Sequence, residues 1–209
     1  MSALLTYFTG GRMDIEQGLA LFVFALAMSI TPGPNNLMLT ATGANFGVRR
    51  GLPHMFGIAG GLALMMFLVA AGAGAALLAN PAIMGGLRVV GVAVLLWLAW
   101  KIATAGRSGA AARGSPIGFL EAAAFQWVNP KAWLMCTGAV AGFLQAGEAS
   151  ALPQAAFFAA IFLAAGLPSM MAWLGFGAAM QHLLQSDRAL RIFNVAMGLL
   201  LVASVVLLL

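Results

Sequence analysis

Charged residues are scarce in this chain and make up 7% of its 209 residues, whereas about a quarter of a typical soluble domain is charged. So few charges cannot cover a water-exposed surface, which excludes an ordinary soluble protein. The remainder is 63% hydrophobic, with a mean hydropathy of +1.00. The sequence therefore predicts an all-α polytopic membrane protein.

Cysteine is almost absent as well. A single residue, Cys136, cannot form an intrachain disulfide or a cysteine-based metal cluster, and we expect it to be a small buried apolar side chain. Basic residues outnumber acidic ones by 10 to 5, but none of them form a cluster interleaved with aromatic residues. Nucleic acid is therefore not an expected partner, and no cofactor or metal is predicted.

Catalytic patterns are missing from the apolar runs. We find no His–Glu metal pair, no paired carboxylates and no serine-based dyad within them, so the sequence does not indicate a membrane-embedded enzyme.

Six apolar runs are long enough to cross a membrane, which takes about 20 helical residues. Residues 1–16 form a polar lead-in that is not net basic, unlike the start of a signal peptide. Residues 104–117 are rich in Gly, Ala and Ser, which predicts a flexible cytoplasmic linker. The six runs are residues 17–42, 52–78, 83–103, 118–144, 155–180 and 190–209.

The distribution of Lys and Arg predicts the orientation of these runs, because cytoplasmic connections carry an excess of both. Both termini are therefore expected outside. The linker has three runs on each side. Because three is odd, the first run of one half crosses the membrane in the opposite sense to the first run of the other. This predicts two inverted three-helix repeats, residues 1–103 and 118–209. The predicted cytoplasmic group is Arg49, Arg50, Lys101, Arg107, Arg113, Arg188 and Arg191, against Arg12 and Arg88 on the other side.

The first and fourth runs contain prolines that should break their helices. Proline has no N–H to donate to the carbonyl four residues earlier. The breaks lie about 14 and 12 residues into their runs, roughly 18 to 21 Å deep, and so can meet near the midplane. The breaking residues are Pro32, Gly33 and Pro34 in the first run and Pro130 in the fourth, and the carbonyls they should free belong to Met28, Ile30 and Gln126.

Two interrupted segments in corresponding places of two halves are typical of a transporter's binding site. A lysine at this depth costs at least ~2.5 kcal/mol, so Lys131 needs an acceptor: freed carbonyls at rest, and a substrate carboxylate during transport. A structural lysine that ties the broken helices together, or one that snorkels outward, is the alternative. The residues predicted to surround the cavity are Thr31, Asn35, Asn36, Gln126, Asn129 and Lys131.

The predicted polar residues differ in how strongly they indicate substrate binding. Asn35 could bind substrate or only cap the next half-helix, while Thr31 and Gln126 fit better as fillers of the break than as ligands. Glu121 is a candidate for proton coupling, although a carboxylate near the interface is more often solvated. His54 and His182 fall at predicted cytoplasmic ends, where solvated side chains are expected.

Three segments carry a resemblance to a known family: residues 31–35 followed by Gly47 and Gly51, residues 87–101 with Lys101, and residues 129–132. They resemble the lysine exporter and homoserine/threonine exporter (LysE/RhtB) family of bacterial amino-acid efflux proteins. The resemblance implies export of amino acids or close derivatives across the bacterial cytoplasmic (inner) membrane by a proton-coupled antiporter. Val94 departs from the family, which usually has tyrosine there.

The charges expected near Lys131 limit which amino acids can be the substrate. No carboxylate is predicted at the depth of Lys131, so a cationic amino acid would lack an acidic partner, and we expect a neutral one. Two alternatives stay open: a transporter of another small solute or cation on the same fold, and a non-transporting membrane assembly subunit. The sequence leaves open which amino acid is carried, which ion is coupled and whether the protein is a homo-oligomer.

Overall fold

The computed structural model describes residues 15–74, 79–105, 115–144, 151–181 and 183–206. These residues form seven α-helices and one 3-10 turn, and no β-strand occurs among them. Most of the predicted lead-in and linker, and His182, lie outside the described residues. The helices are α1 (Ile15–Ile30), α2 (Pro34–Ala70), α3 (Pro81–Ala103), α4 (Phe119–Phe125), α5 (Pro130–Phe143), α6 (Ala151–Met180) and α7 (Asp187–Val206), with the 3-10 turn Gln126–Val128 between α4 and α5.

Four of these helices, α2, α3, α6 and α7, are long and apolar enough to cross a membrane. Helix α1 is also apolar but has 16 residues, and α4 and α5 have 7 and 14. At 1.5 Å per residue, none of these three helices covers a core about 30 Å thick by itself. Large apolar side chains such as Val89, Trp100 and Leu134 are exposed, as on a lipid-facing surface. The fold is that of an integral membrane protein.

Helix α2 consists of two helical segments that meet at a kink at Gly47, whereas the sequence predicted two runs, 17–42 and 52–78, with a connection between them. It continues through the expected loop and departs from helical geometry only at Gly47 (φ 77°, ψ 172°). Glycine tolerates this positive φ because it has no Cβ, so the chain changes direction without a loop. The helix also ends at Ala70, before the predicted end at residue 78, and residues 75–78 are not described.

The helices pack mainly across the two halves of the chain. Helix α2 makes its most extensive contact with α6, α3 packs on α7, and α1 also packs on α6. At the α2–α6 crossing, Gly43 faces the carbonyl of Leu174, and Gly177 faces the carbonyl of Thr40. Glycines let the two backbones touch.

Two clusters of buried apolar side chains fill the interior. One joins α1, the end of α2, α5 and the start of α6, and includes Leu21, Met65 and Phe158. The other joins the start and middle of α2 to α3, α4, α6 and α7, and includes Leu95 and Leu201. The interruption between α1 and α2 separates α1, which belongs to the first cluster, from the start of α2, which belongs to the second.

Candidate functional site at two helix interruptions

The first interruption lies between Ile30, where α1 ends, and Pro34, where α2 begins. Gly33 is extended here (φ −174°, ψ 179°). Asn36, one turn into α2 and buried, donates from its side-chain amide to the carbonyls of Ser29 and Thr31, both at 2.9 Å. The side chain of Asn36 thus holds the end of α1 against the start of α2.

The second interruption lies between α4 and α5. The 3-10 turn is followed by Asn129 in an extended conformation (φ −85°, ψ 112°), and Pro130 opens α5. The Asn129 side chain accepts a hydrogen bond from the backbone N–H of Lys131 at 3.1 Å, which caps the helix. The carbonyl of Gln126, expected to be free, instead accepts from the backbone N–H of Asn129 at 3.3 Å.

The two interruptions meet through a pair of side-chain amides. Asn35 donates to the side-chain oxygen of Gln126 at 2.8 Å, and Gln126 donates back to Asn35 at 3.2 Å. Gln126 is fully buried and also donates to the carbonyl of Ala122 at 2.9 Å. These contacts join the start of α2 to the turn before α5, elements that come from different halves of the chain.

Lys131 makes the second connection between the interruptions. Its ammonium donates to the carbonyl of Thr31 and lies 3.4 Å from the carbonyl of Pro32. Its stem packs over Gly33, where a Cβ would come within 2.7 Å of the lysine Cδ. Thr31 itself bonds back to Ala27 through its hydroxyl at 2.6 Å. A cation from α5 is thus held by backbone oxygens of the first interruption.

The carbonyls that bind Lys131 are not those expected from the sequence. The carbonyl of Ile30 accepts from the Trp173 side chain at 3.2 Å instead. Proline does deprive that carbonyl of its helical donor, but a neighbouring helix supplies another donor. The carbonyls of Thr31 and Pro32 lie in the non-helical segment, and these are the ones that face Lys131.

A small cavity lies between the interruptions, and we call it the break cavity. The centre of a water molecule can occupy about 20 Å³ of it, which is room for one or two waters. A free amino acid does not fit, so the break cavity is closed to substrate in this conformation, although Thr31 and Pro32 beside Lys131 are exposed. The polar lining residues are Ser29, Asn35, Asn36, Asn129 and Lys131, and Met28, Met135 and Met170 are among the apolar ones.

Ser29 belongs to this lining, although sequence reasoning missed it. Its hydroxyl is buried and has no hydrogen-bond partner among the described residues. Buried polar groups normally have a partner. The available signal was a serine two residues before Thr31 in an apolar run.

Glu121 does not line the break cavity. It accepts a hydrogen bond from Lys101 at 3.0 Å and one from the backbone N–H of Gly118 at 3.3 Å. The Lys101 ammonium also lies 5.0 Å from the centre of the Trp97 ring. The carboxylate is therefore part of a separate cluster at the end of α3 and the start of α4.

The expectation of a solvated His54 is wrong. Its side chain is fully buried, and Nδ1 lies 2.9 Å from the Thr42 hydroxyl. The reason is that the chain is already helical near residue 52, after the kink at Gly47. The histidine therefore faces the helix bundle instead of water.

The sequence profile described as LysE type translocator matches residues 26–209. The chain belongs to this family. Both interruptions fall inside the matched region, and the resemblance carried by the three sequence segments is confirmed.

Several curated relatives are cysteine/O-acetylserine efflux proteins. The one from Salmonella typhimurium (strain LT2) is 35% identical over 125 residues, which are 60% of this chain and 64% of the relative. The proteins of that name from Salmonella paratyphi A and Escherichia coli K12 are 34% and 31% identical over the same shares. The alignments thus cover less than two thirds of these relatives. No solved structure matches the chain.

Proposed function

We propose that the protein is a secondary transporter that exports a neutral amino acid or a close derivative from the cytoplasm in exchange for protons. The observation that carries this proposal is the Lys131 ammonium, held by the Thr31 carbonyl between two helix interruptions. Ionised carboxylates bind ammonium groups more strongly than neutral carbonyls do. A substrate carboxylate can therefore replace the backbone oxygens at Lys131.

In this proposal the membrane domain has six spans, arranged as two inverted three-helix repeats. Helix α1 with α2 as far as Gly47 forms the first span, the rest of α2 the second, and α4 with α5 the fourth. The packing pattern supports this division: the first span packs on the fifth, the second on the fourth and the third on the sixth. Exchanging the two halves leaves the pattern unchanged, as a pseudo-two-fold axis requires.

The proposed orientation places both termini outside the bacterial inner membrane. Arg49, Arg50 and Lys101 then lie on the cytoplasmic side, in keeping with the excess of positive charge there.

The residues at the break cavity take different roles in this mechanism. Lys131 binds the substrate carboxylate, and the hydroxyl of Ser29 is available for another polar group. The amide of Asn35 becomes available once it separates from Gln126. Asn36, Asn129 and Gln126 hold the non-helical backbone, as their hydrogen bonds indicate. Because the cavity holds only one or two waters, substrate entry requires Lys131 to separate from Thr31.

The charge of the cavity favours a neutral substrate. None of its lining residues is acidic, so the ammonium of a lysine side chain would have no counter-ion and would lie near Lys131. The relatives are named for cysteine and O-acetylserine, which have uncharged side chains at neutral pH. Glu121 is the proposed proton carrier, because protonation would release Lys101 from the carboxylate.

Transport by purified protein in liposomes with an imposed pH gradient tests the proposal. We expect flux of labelled O-acetyl-L-serine, little flux of lysine, and loss of flux in Lys131→Gln. Arg88→Gln is the matched control, because it removes the same charge from an exposed position on α3 and should keep the flux. Selective lysine transport, or full flux by Lys131→Gln, would contradict the proposal, and no flux of any amino acid would favour an assembly subunit.

A further inference from the structure

We propose that a second site for the substrate lies beside Lys101, where it takes a small zwitterion by its carboxylate before that zwitterion reaches Lys131. This inference rests on the proposed export function and extends it. The site is a cavity between the first part of α2, the end of α3 and the segment that leads into α4, which we call the Lys101 cavity. Its polar lining residues are Thr42, Asn45, Lys101, Thr104 and Ser115.

The size of the Lys101 cavity suits a small amino acid. Its volume is about 230 Å³, against about 20 Å³ for the break cavity on the same measure. A ligand can therefore occupy the Lys101 cavity in the conformation that closes the break cavity.

Buried polar side chains fix the wall of the cavity. Asn45 and Asn194 exchange two hydrogen bonds, at 2.8 and 3.0 Å, and Asn194 is fully buried. Asn194 also donates to the carbonyl of Ala105 at 2.8 Å, and Ala105 lines the cavity. The hydroxyl of Thr42 is oriented by His54 behind it. These groups are held in place without a ligand, which lowers the entropic cost of binding one.

Lys101 supplies the charge for a carboxylate. Its partner Glu121 is 3.0 Å away, but both side chains are about one third exposed (32% and 34%). Ion pairs with this much solvent contribute little, so a ligand carboxylate can displace Glu121. Lys101 lines the cavity and Glu121 does not, so the lysine can turn from one carboxylate to the other. Binding then releases Glu121, the proposed proton carrier.

Thiol labelling of a Ser115→Cys variant tests the site. Ser115 is exposed and lines the Lys101 cavity, and the native Cys136 is fully buried, so wild type gives the background. We expect O-acetyl-L-serine to slow labelling by an aqueous maleimide, and its amide, which lacks the carboxylate, to leave the rate unchanged. Labelling that O-acetyl-L-serine does not slow would overturn the inference, as would equal protection by the amide.

Substitutions in the Ser115→Cys background separate a binding role of Lys101 from a structural one. Lys101→Met should raise the half-protective concentration about tenfold or more, and Lys101→Arg should largely restore it. Glu121→Gln should lower that concentration, because it removes the competing carboxylate. If Lys101 and Glu121 only hold the helices together, both Lys101→Met and Glu121→Gln will weaken protection, and the inference fails.

The Lys131→Gln background keeps this test independent of the proposed function. Protection of Ser115→Cys should persist there while transport is lost. Protection without transport by the wild type would support the Lys101 site and remove the export function. Transport by the wild type without protection would remove only the Lys101 site.

Discussion

The side-chain amides of Asn35 and Gln126 exchange two hydrogen bonds, at 2.8 and 3.2 Å, between helix interruptions that are 91 residues apart in the sequence. Gln126 is fully buried, so its side-chain amide depends on Asn35 and Ala122 for hydrogen bonds. The amide pair therefore holds the two interruptions together independently of Lys131.

Replacing either amide by leucine should destabilise the protein. We expect Asn35→Leu to cost about 1–3 kcal/mol, because it leaves the side-chain oxygen of the buried Gln126 without its partner, and Gln126→Leu to cost less, because Asn35 is partly exposed. The double variant should cost less than the sum. Unfolding in detergent measures all three. Gln154→Leu is the control, since Gln154 is buried but its amide nitrogen has no partner among the described residues. Additive effects of the two substitutions would argue against coupling.

Gly33→Ala should impair transport more than stability. Its backbone is extended and accessible to alanine, but the added Cβ would lie 2.7 Å from Cδ of Lys131, which pushes the ammonium away from the Thr31 carbonyl. We expect the rate of liposome transport to fall about tenfold or more. Gly85→Ala, where a Cβ meets nothing within 4 Å, should transport normally. Equal rates for the two variants would show that the position of Lys131 is not critical.

Gly43→Ala and Gly177→Ala should both destabilise the fold. A Cβ at either position collides with backbone atoms of the facing helix, and overpacking of this kind typically costs about 1–3 kcal/mol. The melting temperature in detergent should fall for both variants. Gly175→Ala lies on the same helix as Gly177 but has free space, so it should be neutral or slightly stabilising. An unchanged melting temperature for Gly43→Ala would mean that α2 and α6 can move apart freely.

A cysteine at Asn35 should report the opening of the break cavity. Because that cavity holds about 20 Å³ of water-accessible space, Asn35→Cys should react slowly with an aqueous maleimide at rest. Substrate and a pH gradient should accelerate the reaction, since transport requires the cavity to open. The buried Cys136 of wild type sets the background. Rapid labelling without substrate would indicate that the closed conformation is not the resting one.

The sequence predicted helix breaks at Pro32–Pro34 and Pro130, because a proline acts through its own covalent structure; in the structure α1 ends at Ile30 and α4 at Phe125. The carbonyls that bind Lys131 could not be predicted from the sequence. The answer depends on Trp173, which lies far away in the chain and occupies the Ile30 carbonyl. A hydrogen-bond donor from a distant part of the chain cannot be recognised in the sequence around its acceptor.

The direct junction of the two segments of α2 at Gly47 explains two other differences. A connection was expected between the runs 17–42 and 52–78, yet a single glycine with a positive φ, Gly47, is enough to redirect the chain between two helical segments. With no loop, His54 is buried and Thr42 becomes its partner. Ser29 was missed for a related reason, because a serine in an apolar run often bonds within its own helix, and only the fold shows a hydroxyl left without a partner.

Helices α1, α2 and α3 pack mainly on helices from the other half of the chain, so neither half should be stable by itself. Severing the linker between α3 and α4 would yield two fragments whose helices have few neighbours of their own. Each fragment alone would expose the glycine-lined backbone at Gly43 or Gly177 to lipid. We therefore expect the two fragments to restore transport together only when both are synthesised in the same bilayer.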